Sequence, residues 1–398
     1  MKQPSGPAVL QVLPALGVAG GVERGTVDVA KALVAAGWRA VVVSQGGPLV
    51  RELERAGAIH VTLPLASKSP RVMFKNIGRL REVIAEHGID IVHARSRAPA
   101  WSAEAAAKRS GVHFITTFHG VYSLGLPGKR FYNAVMTRGE RVIAISHFIA
   151  DHMVRTYRVD PGKIRTIHRG VDIHQFDPAR VSQERIISLA NQWRLPEERH
   201  IVLLPGRLSS WKGQNVLIEA LARLRRKDIF AILLGIGAGS SKLRDEIEGA
   251  IVRARLEESV RLIDDCRDMP AAYRLADVVV APSTRPEAFG RIAIEAQAMG
   301  RPIITTDHGG GRETVIHGAT GVLVPPGDAG ALAAAISQII ALDGASRDRL
   351  GRQAIDHVRA HFTNDVMCAA TLAVYHELLS PAASVAPDTV GVLRPGAV

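Results

Sequence analysis

The chain has 398 residues, 47% of them hydrophobic, which is enough for two domains that each bury a core. No run of about 18 uncharged apolar residues occurs, which argues against a membrane-spanning helix. The net charge of +12 is concentrated: between His60 and Arg141 thirteen Lys/Arg face five Asp/Glu, a surplus of eight, so that region expects an anionic partner.

The first twenty residues carry one cation, Lys2, and prolines at 4, 7 and 14 interrupt any apolar core. A cleaved signal peptide is not expected, and Ala8–Leu13 reads as a strand. Further strands follow over Ala40–Ser44, Ile89–His93, His113–Phe118 and Val142–Ser146. Between the first two, "GVERGTVDVAKALVAAG" places Val27, Ala30, Leu33 and Val34 on one helical face and stops at Gly37. "SKSPRVMFKNIGRLREVIAEHG" aligns Met73, Ile77, Leu80 and Ile84 against Arg71, Lys75 and Arg79. That basic amphipathic helix suits either an anionic membrane or packing on the sheet.

After a polar, irregular stretch over 170–199, a second series starts with "IVLLPG" at Ile201. It continues through "FAILLGIG", "VRLID", "DVVVAPS", "PIITTD" and "GVLVP", and a last helical segment spans Asp365–Leu379. Strands alternating with helices predict two Rossmann-like parallel sheets of five or six strands, a hinge near 170–199 and a cleft between the domains. Cys266 and Cys368 are too few for a disulfide framework or a structural zinc and fit a reducing cytosol. The Pro/Ala/Ser-rich tail from Ser380 is expected to be disordered.

The cleft collects the chemistry. The first strand-to-helix turn, "LGVAGGVERG", lets backbone approach a ligand and aims helix N–H groups at an anion, but it is not the G-x-G-x-x-G of nicotinamide enzymes. "GRLSSWK" brings Arg207 and Lys212 to the exit of the strand at Ile201, where two cations suit a diphosphate. In "RPEAFGRIAIEAQAMG" Glu287 precedes a buried helix starting near Phe289–Gly290, and Glu295 lies inside it, which demands a partner. Eight residues at helical rise span about 12 Å, comparable to a nucleoside diphosphate sugar. One carboxylate suits the sugar and the other the ribose, with the diphosphate at the helix N-terminus between them. "DDCRD" at 264–268 reads as a solvated acidic turn, and no metal is assigned.

The E-x7-E pairing, with "GRLSSWK" before it and "GRPIITTDHGGGRETVIHGATGVLVPPGD" after it, resembles the retaining GT-B glycosyltransferases of family 4 over residues 8–380. The resemblance implies an α/β GT-B fold: two Rossmann-like domains facing across a cleft, 1–175 for the acceptor and 176–362 for the nucleotide sugar. A helix over 363–380 would return to the first domain, with the tail at 381–398. By the same resemblance Arg207 and Lys212 neutralise the donor diphosphate and Glu287 contacts the sugar. Phe289, Gly290 and Arg291 offer backbone N–H groups, and Glu295 holds the ribose. Gly20 and Gly21 match the family's N-terminal glycine loop, and His119 matches a histidine beside the reacting carbon. The family needs no catalytic metal and no cofactor beyond a GDP- or UDP-sugar co-substrate, and its proposed chemistry is front-face substitution. Where members usually carry asparagine before G-V-D, this chain has Arg169, whose role the resemblance leaves open.

For the acceptor, Arg95 and Arg97 leave a strand end facing the cleft and suit an acidic group. The pattern "LPALGVAGGVERGTVDVAKAL…HARSRAPAWSAEAAAK" resembles, more narrowly, lipopolysaccharide core mannosyltransferases of Gram-negative bacteria. That implies a mannosyl or related hexosyl donor and an anionic, lipid-anchored glycan acceptor. It also implies a cytoplasmic enzyme touching the inner face of the cytoplasmic membrane and binding no nucleic acid. The competing readings are a GT-B nucleotide-sugar epimerase, which E-x7-E disfavours, and a non-catalytic sugar-nucleotide or nucleic-acid binder, which the intact cleft residues disfavour.

Overall fold

Apolar runs such as AVLQV and IFAILL are buried along their whole length because helices cover both faces of a parallel sheet. The computed structural model describes residues 6–18, 21–235 and 241–380; Gly20, most of "GIGAGS" and the tail at 381–398 lie outside the described residues. The first sheet has seven parallel strands: β1 (Ala8–Val12), β2 (Arg39–Ser44), β3 (Ile59–Thr62), β4 (Ile91–Ala94), β5 (His113–Phe118), β6 (Arg141–Ala144) and β7 (Ile164–Thr166). Their order is β3-β2-β1-β4-β5-β6-β7. The second has six: β8 (His200–Pro205), β9 (Ile229–Leu234), β10 (Val260–Ile263), β11 (Val278–Ala281), β12 (Ile303–Thr306) and β13 (Val322–Val324), ordered β10-β9-β8-β11-β12-β13. Both orders reverse beside the first strand of the sheet, between β1 and β4 and between β8 and β11. The crevice therefore opens at the carboxyl ends of those four strands.

The sequence missed β3 and β7. Both are short edge strands, and their partly exposed residues IHVT and IRT mix polar with apolar, so neither makes an apolar run. The helix Gln183–Gln192 interrupts the supposedly irregular 170–199 stretch, capped by Ser182 and anchored by Leu189. The helix Pro70–Glu86 buries Leu80 and Ile84 and packs on the alanine-rich helix Arg97–Ser110, where Ser102 Oγ donates to Met73 O at 2.8 Å. The apolar face offered to a membrane is thus largely covered by protein. Phe74, on its cationic side, is 69% exposed.

The helix Asn364–Leu379 returns to the first domain. Tyr375 Oη lies 2.7 Å from His93 Nδ1, whose ring is kept neutral by burial, and Glu377 accepts from Arg141 at 2.7 Å and from Arg165. The chain thus crosses between the domains twice, side by side: Val171 N donates to Phe362 O and Asn364 N to Val171 O. A Cβ on Gly170 would lie 2.6 Å from the backbone of Thr363 and Asn364, so only glycine permits this approach. Gly170→Ala should lower stability by about 1–3 kcal/mol, seen as a lower midpoint of thermal unfolding.

Candidate functional site

The second-domain wall is built from two loops fastened together. After β8, Gly213 takes φ +86 and comes so close to Pro282 that any side chain would strike its carbonyl, while Thr284 N donates to Trp211 O at 2.8 Å. This puts Lys212 Nζ 2.8 Å from Glu287 Oε1, which also accepts from Ser283 Oγ at 2.5 Å. The lysine stands 4.7 Å over the Trp211 ring. Arg207 is exposed and makes no ion pair among the described residues.

Gly309 and Gly310 explain the glycine run of the following loop: their would-be side chains collide with the backbone of Glu287 and Phe289. Gly310 N holds Glu287 O at 2.8 Å. Phe289 is buried beside His168 and Phe362, and Gly290, at φ +93, precedes the helix Arg291–Ala298. The helix begins at Arg291 with Gly290 as its N-cap, within a residue of the start the sequence suggests. Residues 287–290 are not helical, so the helical-rise span between the two carboxylates does not apply to that half of the path. Glu295 is buried and held from both sides, by Tyr273 Oη at 2.9 Å and Arg291 Nη2 at 2.8 Å. Burial, then the adjacent Glu295 charge, pushes the Tyr273 phenol well up, so it stays a neutral donor. The DDCRD turn is structural: Asp268 pairs with Arg185 and caps the next helix through Ala271 N.

On the first-domain wall, β4 is followed by Arg95, which is 3% exposed and sits 3.3 Å from Gln11 Oε1. Arg97 turns away from it, donating to Asn133 Oδ1 at 2.9 Å with its guanidinium 4.2 Å over Tyr122. The two arginines expected to act together are separated, because Arg97 opens a helix that redirects its side chain. His119, after β5, has a buried Nε2 without a partner, and burial, reinforced by Arg95, Arg169 and His93, keeps its ring neutral. Gly21 opens the first helix beside both Arg291 and Arg169, while Gly25 faces the Arg169 guanidinium. Those glycines admit a side chain from the interdomain segment. Arg169 donates to Gly21 O, and its pKa is pushed down to about 9 by burial, then by Arg95 and Arg291.

The walls meet directly. Gly120 lies against Ala288, whose carbonyl accepts from Ser146 Oγ at 2.6 Å. Glu313 of the second domain accepts from His147 N and Phe148 N of the first, both at 2.7 Å, and pairs with His168 Nε2 at 2.8 Å. Burial raises the Glu313 carboxyl, but those three hydrogen bonds outweigh it and hold the group below its usual value.

Residues 19–175 match the description "Glycosyltransferase Family 4" and residues 186–357 match "Glycosyl transferases group 1". The D-inositol 3-phosphate glycosyltransferase 1 of Catenulispora acidiphila is 30% identical over 293 residues, 68% of each chain. The chain belongs to glycosyltransferase family 4. A second D-inositol 3-phosphate glycosyltransferase, from Xylanimonas cellulosilytica, is 30% identical over 73% of this glycosyltransferase and 72% of its own length. Three more of that name are matched over only 57%, 56% and 52% of theirs. A solved glycosyltransferase from Rickettsia africae superposes with TM-score 0.87 at 36% identity, covering 94% of this chain and 99% of that one. HepE of Anabaena, at 23% identity and TM-score 0.80 over 93% and 100%, shares the fold.

Sequence reasoning found that Glu295 needed a partner but not that Tyr273, 22 positions earlier, supplies it. Glu313, within the GGGRETV segment, carries no signal of its role because its partners, two backbone N–H groups and His168, are distant in the chain. Tyr273→Phe should raise KM for the donor about tenfold with little change in kcat, read by steady-state kinetics. Glu313→Gln should cost roughly 2 kcal/mol at neutral pH. Because this carboxyl is depressed in the fold, the stability difference from wild type is full above the ordinary value of 4.5 and shrinks as pH falls through the lower folded value; urea unfolding at several pH values checks it.

Proposed function

We propose that this glycosyltransferase moves a hexosyl group, with mannosyl favoured, from a GDP- or UDP-sugar to an anionic glycan or glycolipid such as lipopolysaccharide core, with retention and without a metal. The observation that carries the reading is the arrangement around Gly290: Glu287 fixed by Lys212 and Ser283 on one side of the helix start, Glu295 fixed by Tyr273 and Arg291 on the other. Glu287 Oε2 and the second lone pair of each Glu295 oxygen are left for ligand hydroxyls. The crystallised HepE complexes hold UDP, glucose and UDP-glucose, and the matched curated relatives are named for an inositol phosphate, which supports a nucleotide-sugar donor and a phosphate-bearing acceptor.

In this reading the anomeric carbon–phosphate bond breaks and negative charge grows on the leaving diphosphate. Arg207, Lys212 and the N-terminus of the helix after Gly290 meet that charge. The acceptor oxygen bonds to the anomeric carbon from the departing face, and its proton passes to a leaving phosphate oxygen. The neutral His119 offers a hydrogen bond to the sugar without adding charge beside the forming oxocarbenium ion.

Peripheral contact with the inner face of an anionic membrane is part of the proposal. Among the described residues no single helix is long and apolar enough to cross a membrane. The first domain does expose Phe74, Leu126 and Phe131, at 69%, 60% and 65%, with Arg71, Lys75, Lys129 and Arg130 near them in sequence. Purified protein is to be tested against a panel of GDP- and UDP-hexoses with envelope extract as acceptor. Turnover of at least one donor is expected, and no turnover of any sinks the donor assignment. Glu287→Ala should lower transfer by about 100-fold or more with unchanged far-UV circular dichroism; wild-type activity in that variant refutes its role.

A further inference from the structure

Apart from the residues assigned to donor and acceptor, one cluster of metal-ligating side chains joins the two domains. His147 begins the helix His147–Tyr157, and His168 follows β7 in the segment that leaves the first domain. Glu313 comes from the short helix Gly311–Thr314 of the second domain. One ligand atom from each of the three lies within 4.8 Å of the others. Two imidazoles and a carboxylate are the donor set that zinc-class ions take.

The cluster is pre-arranged. Glu313 is fixed by His147 N and Phe148 N, both at 2.7 Å, and its Oε2 stands 2.8 Å from His168 Nε2. The His168 ring is packed by Phe289 and Phe362, with ring centroids at 5.8 and 5.5 Å. His147 meets it edge-on at 5.5 Å, is exposed, and makes no side-chain hydrogen bond among the described residues, so its ring turns without losing one. No Lys or Arg pairs with Glu313 among the described residues; its ionisable partner is His168. Metal–ligand bonds of about 2.0–2.2 Å set the ligand atoms of a tetrahedral site roughly 3.4 Å apart. The hydrogen-bonded pair therefore opens slightly and His147 closes in, both by side-chain rotation.

We propose that His147, His168 and Glu313 form a binding site for one zinc-class divalent cation that latches the second domain to the first. Glu313 keeps its two backbone N–H bonds, and His168 binds through Nε2 with its ring proton on Nδ1. A water completes four-coordination. One hydrogen bond across the junction is thereby exchanged for three coordinate bonds, two from the first domain and its outgoing segment and one from the second. Binding is coupled to the arrangement in which Glu313 meets the first domain, and the cation takes no part in transfer. Mg²⁺ and Ca²⁺, which seek several oxygen ligands, find a single carboxylate here and are not selected.

The test titrates the full chain, untagged and stripped of metal by a chelator, with ZnCl₂ by calorimetry and with CoCl₂ by visible absorption. Wild type should take up one equivalent of Zn²⁺, and Co²⁺ at the same site should show the strong visible bands of four-coordination. His147→Ala, at an exposed position, should keep the unfolding midpoint of metal-free wild type and bind Zn²⁺ at least tenfold more weakly. His168→Ala should lose the Co²⁺ bands. Glu313→Gln should also weaken Zn²⁺ at least tenfold; full affinity in that variant overturns the latch between domains. Saturating Zn²⁺ should raise the thermal midpoint of wild type by about 2 °C or more and leave that of His147→Ala in place, while Mg²⁺ moves neither. His357 and His361, near the end of the helix Gly344–His361, serve as the control pair. Loss of the equivalent in His361→Ala but not in His147→Ala puts the ion on that helix and overturns the site. Wild type that takes up no Zn²⁺, or that gives only the weak absorption of hydrated Co²⁺, overturns it as well.

Discussion

One carboxylate sets the relation between the two domains. Glu313 leaves the glycine-rich loop after β12 and places both oxygens on the N-terminus of the first-domain helix His147–Tyr157, where two N–H groups and the positive end of the helix receive it. The same helix is capped internally by Ser146, whose hydroxyl accepts from Ile149 N and donates to Ala288 O across the cleft. A helix end is therefore completed partly by the other domain. The approach of Gly120 to Ala288, and of Arg291 to Gly21, is measured from this contact.

The cleft that results is cationic. Its first-domain side holds Arg95, Arg169 and a histidine kept neutral; its second-domain side holds two carboxylates that are each half-occupied by a cation. Negative charge is expensive to leave uncompensated in such a place, and so is positive charge.

Much of this was legible in the letters, and the rest was hidden for physical reasons. Alternating apolar runs reveal central strands because both faces are buried; β3 and β7 lie at sheet edges, so their patterns are mixed. Glu295 announced itself because an acid inside an apolar helix needs compensation, whereas its partner Tyr273 reads as one more core aromatic. Arg95 and Arg97 look equivalent two positions apart, yet one faces the cleft interior and the other stacks on Tyr122. The glycines at 21 and 25 suggested a phosphate loop, but only packing shows that Gly25 admits Arg169. Long-range polar contacts leave no periodicity behind them.

The paired crossing at Gly170–Val171 and Phe362–Asn364 also governs movement. A single linker would act as a ball joint and let the second domain swing in any direction. Two adjoining linkers stitched by Val171 N to Phe362 O and Asn364 N to Val171 O behave as a door hinge, with one axis running along the stitch. Since the returning helix is moored to the first domain through Tyr375 and Glu377, the frame of the door includes both ends of the fold. Any rotation of the domains that keeps these two bonds is confined to the axis of the stitch.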